Sequence, residues 1–168
     1  LCIFGCGPRS SIGKITIPIA GEEITLVWVD GGSFIMGSTE LIANSDEKPT
    51  HKIHIDGFWM TETPITNNQF AAFVNSTNYV TTAEKAPSLK EMMSQLPKDT
   101  PPLPDEYLVP GSLIFIGGRE AANPYSSINW WKWSPKTSWK NPRSENPTLD
   151  GIGDHPVVHV SWYDAIEF

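Results

Sequence analysis

Cys2 and Cys6, the two cysteines of this chain, both lie at its N-terminus. Residues 7–168 therefore contain no thiol nucleophile, no disulfide and no thiolate ligand for a metal ion. Any chemistry in this part of the chain must proceed without sulfur, apart from the four methionines. Met36 and Met60 lie in strand-like segments, where we expect them to pack against other apolar side chains.

Two histidines, His155 and His159, are spaced so that a helix would place both imidazoles on one face for a metal ion. Pro156 separates them, however, and the surrounding residues favour a strand, in which the two rings would lie further apart. His51 and His54 fall on opposite faces of their predicted strand, which disfavours a shared metal. We therefore expect no metal site, and a structural role in which each ring of the first pair makes a hydrogen bond in a packed turn.

Four of the seven tryptophans crowd one predicted loop: Trp130, Trp131, Trp133 and Trp139. Aromatic walls offer a large contact area at low entropic cost, so these side chains could line a groove for an extended peptide or a sugar. The alternative is that they staple a long loop onto the core. We favour stapling for most of them and retain Trp131 and Trp139 as candidates for substrate binding.

The N-terminal sequence LCIFGCGPRSS resembles the lipobox of a bacterial lipoprotein precursor. In this interpretation Cys6 is lipidated, residues 7–13 are a linker, and the protein is exported to the periplasm or anchored to a membrane. The alternative is an apolar N-terminal segment whose two thiols have no function. In that case the protein would be cytoplasmic. The apolar stretch itself is too short to span a bilayer.

The composition describes a globular chain with many loops. Apolar residues make up 39% of the sequence and charged residues 18%, together with 15 prolines and 13 glycines. The formal net charge is −7, which argues against a nucleic-acid partner because phosphate binding needs a basic face.

Alternating apolar residues predict short strands through much of the chain. A glycine-rich turn separates the runs at 24–29 and 33–38, which predicts that these two strands pair as a hairpin. The alternation from residue 51 to 60 predicts a single half-buried strand. Further strands are predicted at 15–19, 108–118 and 157–160.

Two capping boxes predict where helices begin. Thr66 and Gln69 form one box, and Ser161 and Asp164 form the other. A third, short helix is predicted at 88–95. The first helix buries one face, which the apolar spacing assigns to Phe70, Phe73 and Val74.

Several stretches, in matching order and spacing, resemble one family, the formylglycine-generating enzymes, also called sulfatase-modifying factors. A single such fragment would be weak evidence, whereas the ordered set covers about residues 24–168. The stretches are GGSFIMGS at Gly31, DEKPTHKIHIDGFWMTETPITNNQFAAFVNSTNYVTTAE at 46–84, the Trp130-Trp131 pair, SWKNP at Ser138 and DHPVVHVSWYDA at Asp154.

The resemblance implies an α+β fold of the formylglycine-generating-enzyme type, an elaborated C-type-lectin-like domain with short strands, few helices and many loops. It also implies an oxidase that converts a cysteine of an unfolded sulfatase, in a Cys-x-Pro-x-Arg context, to Cα-formylglycine with dioxygen and copper(I). Copper and calcium are the implied cofactors of the intact domain, and the unfolded sulfatase peptide is its implied partner. The copper-binding cysteine pair of the family falls beyond Phe168, so no catalytic residue is carried over onto this chain.

Under this resemblance, residues 24–168 are the N-terminal half of the domain, and residues 1–23 are a leader and linker containing the lipobox at Cys6. We expect the fold to be incomplete in this chain and the C-terminal half of the domain to be its packing partner. Two functions stay open: a copper-dependent oxidase acting on sulfatases, and a non-catalytic binding or structural lipoprotein domain on the same fold.

Overall fold

The structure, a computed structural model, describes residues 13–94, 96–117, 130–143 and 148–168. Short antiparallel strands, few helices and long loops make up these ranges, which confirms the predicted α+β, loop-rich class. None of the helices in these ranges is both long and apolar enough to cross a bilayer. The elements are β1 (Lys14–Ile19), β2 (Glu22–Val29), β3 (Gly32–Met36), β4 (His51–Ile55), β5 (Phe58–Thr61), α1 (Asn67–Thr77), α2 (Leu89–Ser94), β6 (Gly111–Phe115), β7 (Trp131–Pro135) and α3 (Trp162–Glu167).

The described residues divide into two compact units. The first contains residues 13–18 and 23–63, and the second contains residues 19–22 and the described residues from 64 to 168. β1 lies within residues 1–23, the predicted leader and linker, so part of that segment is a strand. The proposed domain division at residue 23 stays a prediction.

In the first unit, β1, β2 and β5 form one sheet in that order, and β3 pairs with β4 in a separate two-stranded ribbon. The β2–β5 register places Trp28 opposite Trp59, and their rings meet edge to face with centroids 5.4 Å apart. An aromatic cross-strand pair of this kind contributes to holding the register of an antiparallel sheet.

Two strand predictions for this unit are wrong. The runs at 24–29 and 33–38 do not pair with each other, and the run at 51–60 is interrupted to give β4 and β5, which join different sheets. Glycines permit the close approach seen here: a Cβ on Gly31 would lie 2.7 Å from the backbone nitrogen of Gly57, and a Cβ on Gly57 would lie 2.4 Å from the ring of Trp28. The close backbone approach lets the chain pass from one sheet to the other.

Helix α1 of the second unit confirms the predicted capping box. The Thr66 hydroxyl accepts a hydrogen bond from the Gln69 backbone, and the Gln69 side chain accepts one from the Thr66 backbone. The helix ends at Asn78, which adopts the left-handed conformation (φ 55°) that asparagine tolerates well. Its buried face packs into the core of the unit, formed by Phe70, Phe73, Val74 and Trp139.

Helix α3 begins at the predicted capping box of Ser161 and Asp164. The last residue after this helix has packing partners within the described residues. The Phe168 ring lies 5.8 Å from the Phe70 ring and 5.3 Å from the Phe73 ring, centroid to centroid, so the end of the chain packs onto α1.

The strand predicted at 157–160 is also wrong. Among the described residues, strand-like pairing near this segment is limited to an isolated bridge between Thr66 and Pro156, next to a hydrogen bond from the Val157 N–H to the Ile65 carbonyl. His159 has φ 59°, which ends the extended conformation that a strand requires. The predicted short helix at 88–95 and the strand at 108–118 are confirmed as α2 and β6.

Candidate functional site

The exposed face of the β6–β7 ribbon carries the clearest candidate surface, which we call the ribbon face. The register pairs Leu113 with Trp133 and Phe115 with Trp131. Because side chains alternate along a strand, these four apolar side chains share one face of the ribbon. The ribbon face consists of the exposed side chains of Leu113, Phe115 and Trp131 and the half-buried side chain of Trp133, whose ring lies 6.5 Å from that of Tyr107.

The Phe115 ring packs against two tryptophan rings at one end of the ribbon face. The Phe115 ring meets the Trp131 ring edge to face at 5.5 Å and the Trp130 ring at 6.1 Å, centroid to centroid. Leu113, Phe115 and Trp131 nevertheless keep 51%, 61% and 52% of their surface exposed. Exposed large apolar side chains held next to one another typically mark a binding surface.

The opposite face of the ribbon is tied to the loop before α3 by His159. Its Nδ1 lies 2.9 Å from the Ser112 hydroxyl, and its Nε2 lies 3.2 Å from the Pro142 carbonyl oxygen. Since a carbonyl can only accept, Nε2 carries the proton that is donated to Pro142, and Nδ1 shares a hydrogen bond with the Ser112 hydroxyl. The prediction of a hydrogen-bonded ring is therefore confirmed for His159, whereas His155 is exposed rather than packed in a turn.

Trp131 and Trp139, the two predicted substrate-binding residues, occupy different environments. Trp131 lies on the exposed ribbon face, whereas Trp139 is only 3% exposed and packs edge to face on Phe70 at 5.1 Å. In this position Trp139 offers almost no surface to a peptide, which favours the stapling interpretation for this residue. Binding of substrate by Trp131 stays a prediction.

Glu84 anchors the loop that carries Trp139. Its carboxylate accepts hydrogen bonds from the Trp139 indole (3.3 Å), the Lys140 ammonium (2.7 Å) and the backbone and hydroxyl of Thr81. Burial alone would raise the pKa of Glu84, but the Lys140 and Thr81 hydrogen bonds outweigh burial and lower it. The carboxylate therefore stays charged, and its bonds to Trp139 and Lys140 hold the loop that contains these two residues.

Asp164 is fully buried and fastens α3 to the turn that follows α1. Its Oδ1 accepts from the Tyr79 hydroxyl (3.0 Å), the Thr82 N–H (2.9 Å) and the Thr82 hydroxyl (3.2 Å), and its Oδ2 accepts from the Ser161 N–H (2.7 Å). We call this arrangement the Asp164 cluster, formed by Tyr79, Thr82, Ser161 and Asp164.

The charge of Asp164 is stabilised by that cluster. Burial would raise the pKa of Asp164, but the backbone hydrogen bonds from Ser161 and Thr82, with side-chain bonds from Ser161 and Tyr79, outweigh burial and lower it. Burial raises the pKa of Tyr79, and the hydrogen bond to Asp164 raises it further because the phenol must stay protonated to donate. A buried carboxylate with several donors and a neutral phenol is a structural arrangement, with no free base for proton transfer.

The described residues do not fit the copper ion that the resemblance implies. None of them is a cysteine, and they contain no group of three or more histidine, cysteine, aspartate or glutamate side chains able to hold a metal. Soft thiolates are the ligands that copper(I) prefers. Cys6, the predicted lipidation site, and Cys2 lie outside the described residues.

Sequence reasoning missed several members of these arrangements. Leu113 and Phe115 lie in a correctly predicted strand, but the sequence does not show that the strand pairs with Trp131 and Trp133. The capping box at Ser161 pointed to Asp164 as a local cap, whereas its bonds to the turn after α1 depend on the tertiary fold.

The architecture defines a loop-rich α+β domain with an exposed aromatic ribbon, and comparison with known proteins places it in a family. The family profile described as "Sulfatase-modifying factor enzyme 1-like domain" matches residues 19–168. The chain therefore belongs to the sulfatase-modifying factor family.

The similar proteins include some named as formylglycine-generating enzymes and some named as inactive. The chain is 33% identical to the formylglycine-generating enzyme of Mycobacterium tuberculosis over 143 residues, which is 85% of this chain and 44% of that protein. It is 31% identical to the formylglycine-generating enzyme of Streptomyces coelicolor over 163 residues, 96% of this chain and 42% of that protein. It is also 26% identical to the inactive C-alpha-formylglycine-generating enzyme 2 of Mus musculus over 165 residues, 98% of this chain and 46% of that protein. The chain thus spans less than half the length of these relatives.

Proposed function

We propose that this chain is part of a formylglycine-generating enzyme that oxidises a sulfatase cysteine, in a Cys-x-Pro-x-Arg context, to Cα-formylglycine with dioxygen and copper. The observation that carries the proposal is the family match over residues 19–168, joined to relatives named formylglycine-generating enzyme. Since the described residues supply no copper ligands, the ligands would lie elsewhere in the full-length protein.

The contribution of this chain would be to bind the substrate polypeptide. An unfolded sulfatase segment presents apolar side chains and backbone amides, for which the exposed ribbon face is a suitable surface. Trp131 is the principal candidate contact, because a large, rigid indole gives much contact area at low entropic cost. Phe115 supports the indole through its edge-to-face contact.

Peptide binding to the full-length protein tests this role. The probe is a fluorescent sulfatase-type peptide in which serine replaces the reactive cysteine, so that binding is measured without turnover. Trp131→Ala should weaken binding roughly tenfold, as loss of an interface tryptophan commonly does. The matched control is Trp162→Ala, which removes a tryptophan that is 71% exposed on α3, outside the ribbon. Equal affinities for both variants would exclude the ribbon face as the peptide site.

A second function is supported by the match to a relative named as inactive. In this alternative the protein is a non-catalytic binding or structural domain, and lipidation at Cys6 would tether it to a membrane after export. Binding of the peptide without formation of an aldehyde would favour this alternative. Mass spectrometry of the N-terminus from membrane extracts tests the tether, and a mature N-terminus downstream of Cys6 would exclude it.

A further inference from the structure

The β6–β7 ribbon has a distinct outer edge at β7. In the described part of the chain β7 pairs only with β6. Hydrogen bonds of 2.8 Å close both ends of the ribbon, from the Ile116 N–H to the Trp130 carbonyl and from the Lys136 N–H to the Pro110 carbonyl. These two bonds determine which residues of β7 turn their backbone groups towards β6.

Antiparallel strands alternate between hydrogen-bonded and non-hydrogen-bonded residue pairs. Since Trp130 and Lys136 are hydrogen-bonded to the residues that flank β6, Lys132 and Ser134 also turn their backbone groups towards β6. Trp131 and Trp133 then turn their backbone N–H and C=O groups outward. Among the described residues, no backbone bond to these outward groups is found.

Pro135 limits the length of this outer edge. It occupies the next outward-facing position of β7, where it has no N–H to offer. The outward N–H groups of the strand are therefore those of Trp131 and Trp133. Two outward residues provide pairing for a short extended segment of about five residues, because every second residue of an added strand faces its neighbour.

We propose that the outer edge of β7 binds the substrate polypeptide as an added β-strand, with hydrogen bonds to the backbones of Trp131 and Trp133. This inference rests on the proposed function, in which the substrate is an unfolded polypeptide. A row of alternating donors and acceptors matches an extended chain, whereas a small molecule would satisfy only part of it. The exposed Trp131 indole lies on the same strand and would cover one face of the added segment.

The spacing of the substrate motif fits this mode of binding. In Cys-x-Pro-x-Arg, the cysteine, proline and arginine occupy alternate positions, so an extended chain turns their backbone groups to one side and those of the two x residues to the other. Proline has no N–H, so the side that pairs with β7 should be that of the two x residues. The cysteine, proline and arginine side chains would then share one face of the added strand.

Backbone N-methylation of the peptide tests the proposal on the full-length protein. The serine-substituted peptide is prepared with an N-methyl group at the first x residue, at the second x residue or at the arginine. Methylation at either x residue should weaken binding about fivefold or more, the effect of losing one hydrogen bond, and methylation at the arginine should change it less than about twofold. Equal effects at all three positions, or a selective effect at the arginine, would overturn the proposal.

A pair of protein variants provides an independent test. Trp131→Pro removes the outward N–H and the indole, whereas Trp131→Ala removes only the indole, and neither change removes an N–H that bonds to β6. The proline variant should bind the peptide about fivefold more weakly than the alanine variant, with an unchanged circular dichroism spectrum. Equal peptide affinities of the proline and alanine variants would contradict strand addition. It would also be contradicted if the wild-type protein were a dimer that Trp131→Pro dissociates without changing the affinity for the peptide, because the edge would then pair two copies of the protein. If the wild-type protein binds the peptide but shows no x-residue selectivity, only the strand addition fails; if it neither binds nor oxidises the peptide, the proposed function fails as well.

Discussion

Replacing the buried carboxylate of Asp164 by an amide should destabilise the fold markedly. Asp164→Asn keeps the shape of the side chain but has one acceptor oxygen and an NH₂ group. If the oxygen keeps the bonds to Tyr79 and Thr82, the NH₂ group faces the Ser161 N–H, so two donors meet in a buried site. Hydrogen bonds to a charged group contribute about 1.5–3 kcal/mol, and a buried unsatisfied donor costs about 1–3 kcal/mol, so we expect a loss of about 2–4 kcal/mol.

The assay is urea unfolding of the full-length protein at pH 7, followed by tryptophan fluorescence. The matched control is Asp154→Asn, because Asp154 is an exposed carboxylate that accepts from the Asn68 side chain at 3.2 Å. Its effect should stay within about 0.5 kcal/mol, as for most surface substitutions. A difference below about 1 kcal/mol between wild type and Asp164→Asn would refute the reasoning, since it would mean that the charged hydrogen bonds contribute little.

The pH dependence gives a second check with a defined sign. The pKa of Asp164 in the folded protein lies below its ordinary value of 3.8. A lowered folded pKa stabilises the fold above the unfolded pKa, and this stabilisation is lost as the pH falls through the folded pKa. The stability difference between wild type and Asp164→Asn should therefore be constant above about pH 5 and should shrink below about pH 4. A difference that grows on acidification would contradict the assignment.

Three further predictions concern other parts of the chain. Glu84→Gln should lower the free energy of unfolding by about 1–2 kcal/mol in urea titrations, because the amide loses the charged bond to the loop, and the effect should fade at acid pH since the pKa of Glu84 is lowered. Gly57→Ala should destabilise by about 1–3 kcal/mol because the added Cβ would lie 2.4 Å from the Trp28 ring, and an unchanged thermal midpoint would argue against that close packing. Residues 1–168 alone should neither bind copper(I) tightly nor oxidise the peptide. Oxidation of the peptide by the Cys2→Ser, Cys6→Ser double variant of residues 1–168 would contradict this prediction, because it would place catalysis within this segment and without its cysteines.

Local features of the fold could be predicted from the sequence because their signals lie within a few residues. The capping boxes at Thr66 and Ser161 determine helix starts through bonds that span one turn, and the apolar spacing after Thr66 identified the buried face of α1 correctly. These elements depend on neighbouring residues alone, so the sequence pattern and the structure agree.

Features that depend on distant residues were beyond the sequence. β2 pairs with β5 next to the close approach of Gly31 and Gly57, and the alternation of apolar residues gives no sign of that contact. The burial of Trp139 and the exposure of Trp131 likewise depend on which face of α1 or of β6 each residue meets. Similar residue types in one loop therefore reached different environments.

The most direct test of the proposed activity is oxidation of a Cys-x-Pro-x-Arg peptide by the full-length protein, supplied with copper and dioxygen and a thiol reductant. Product is measured as the aldehyde captured by a hydrazide probe and located by mass spectrometry, with the serine-substituted peptide and an anaerobic reaction as controls. We predict formylglycine at the cysteine position, formed only with dioxygen, and slower turnover by Trp131→Ala than by Trp162→Ala. Binding of the peptide with no aldehyde after copper loading would contradict the enzymatic proposal and leave the non-catalytic binding domain.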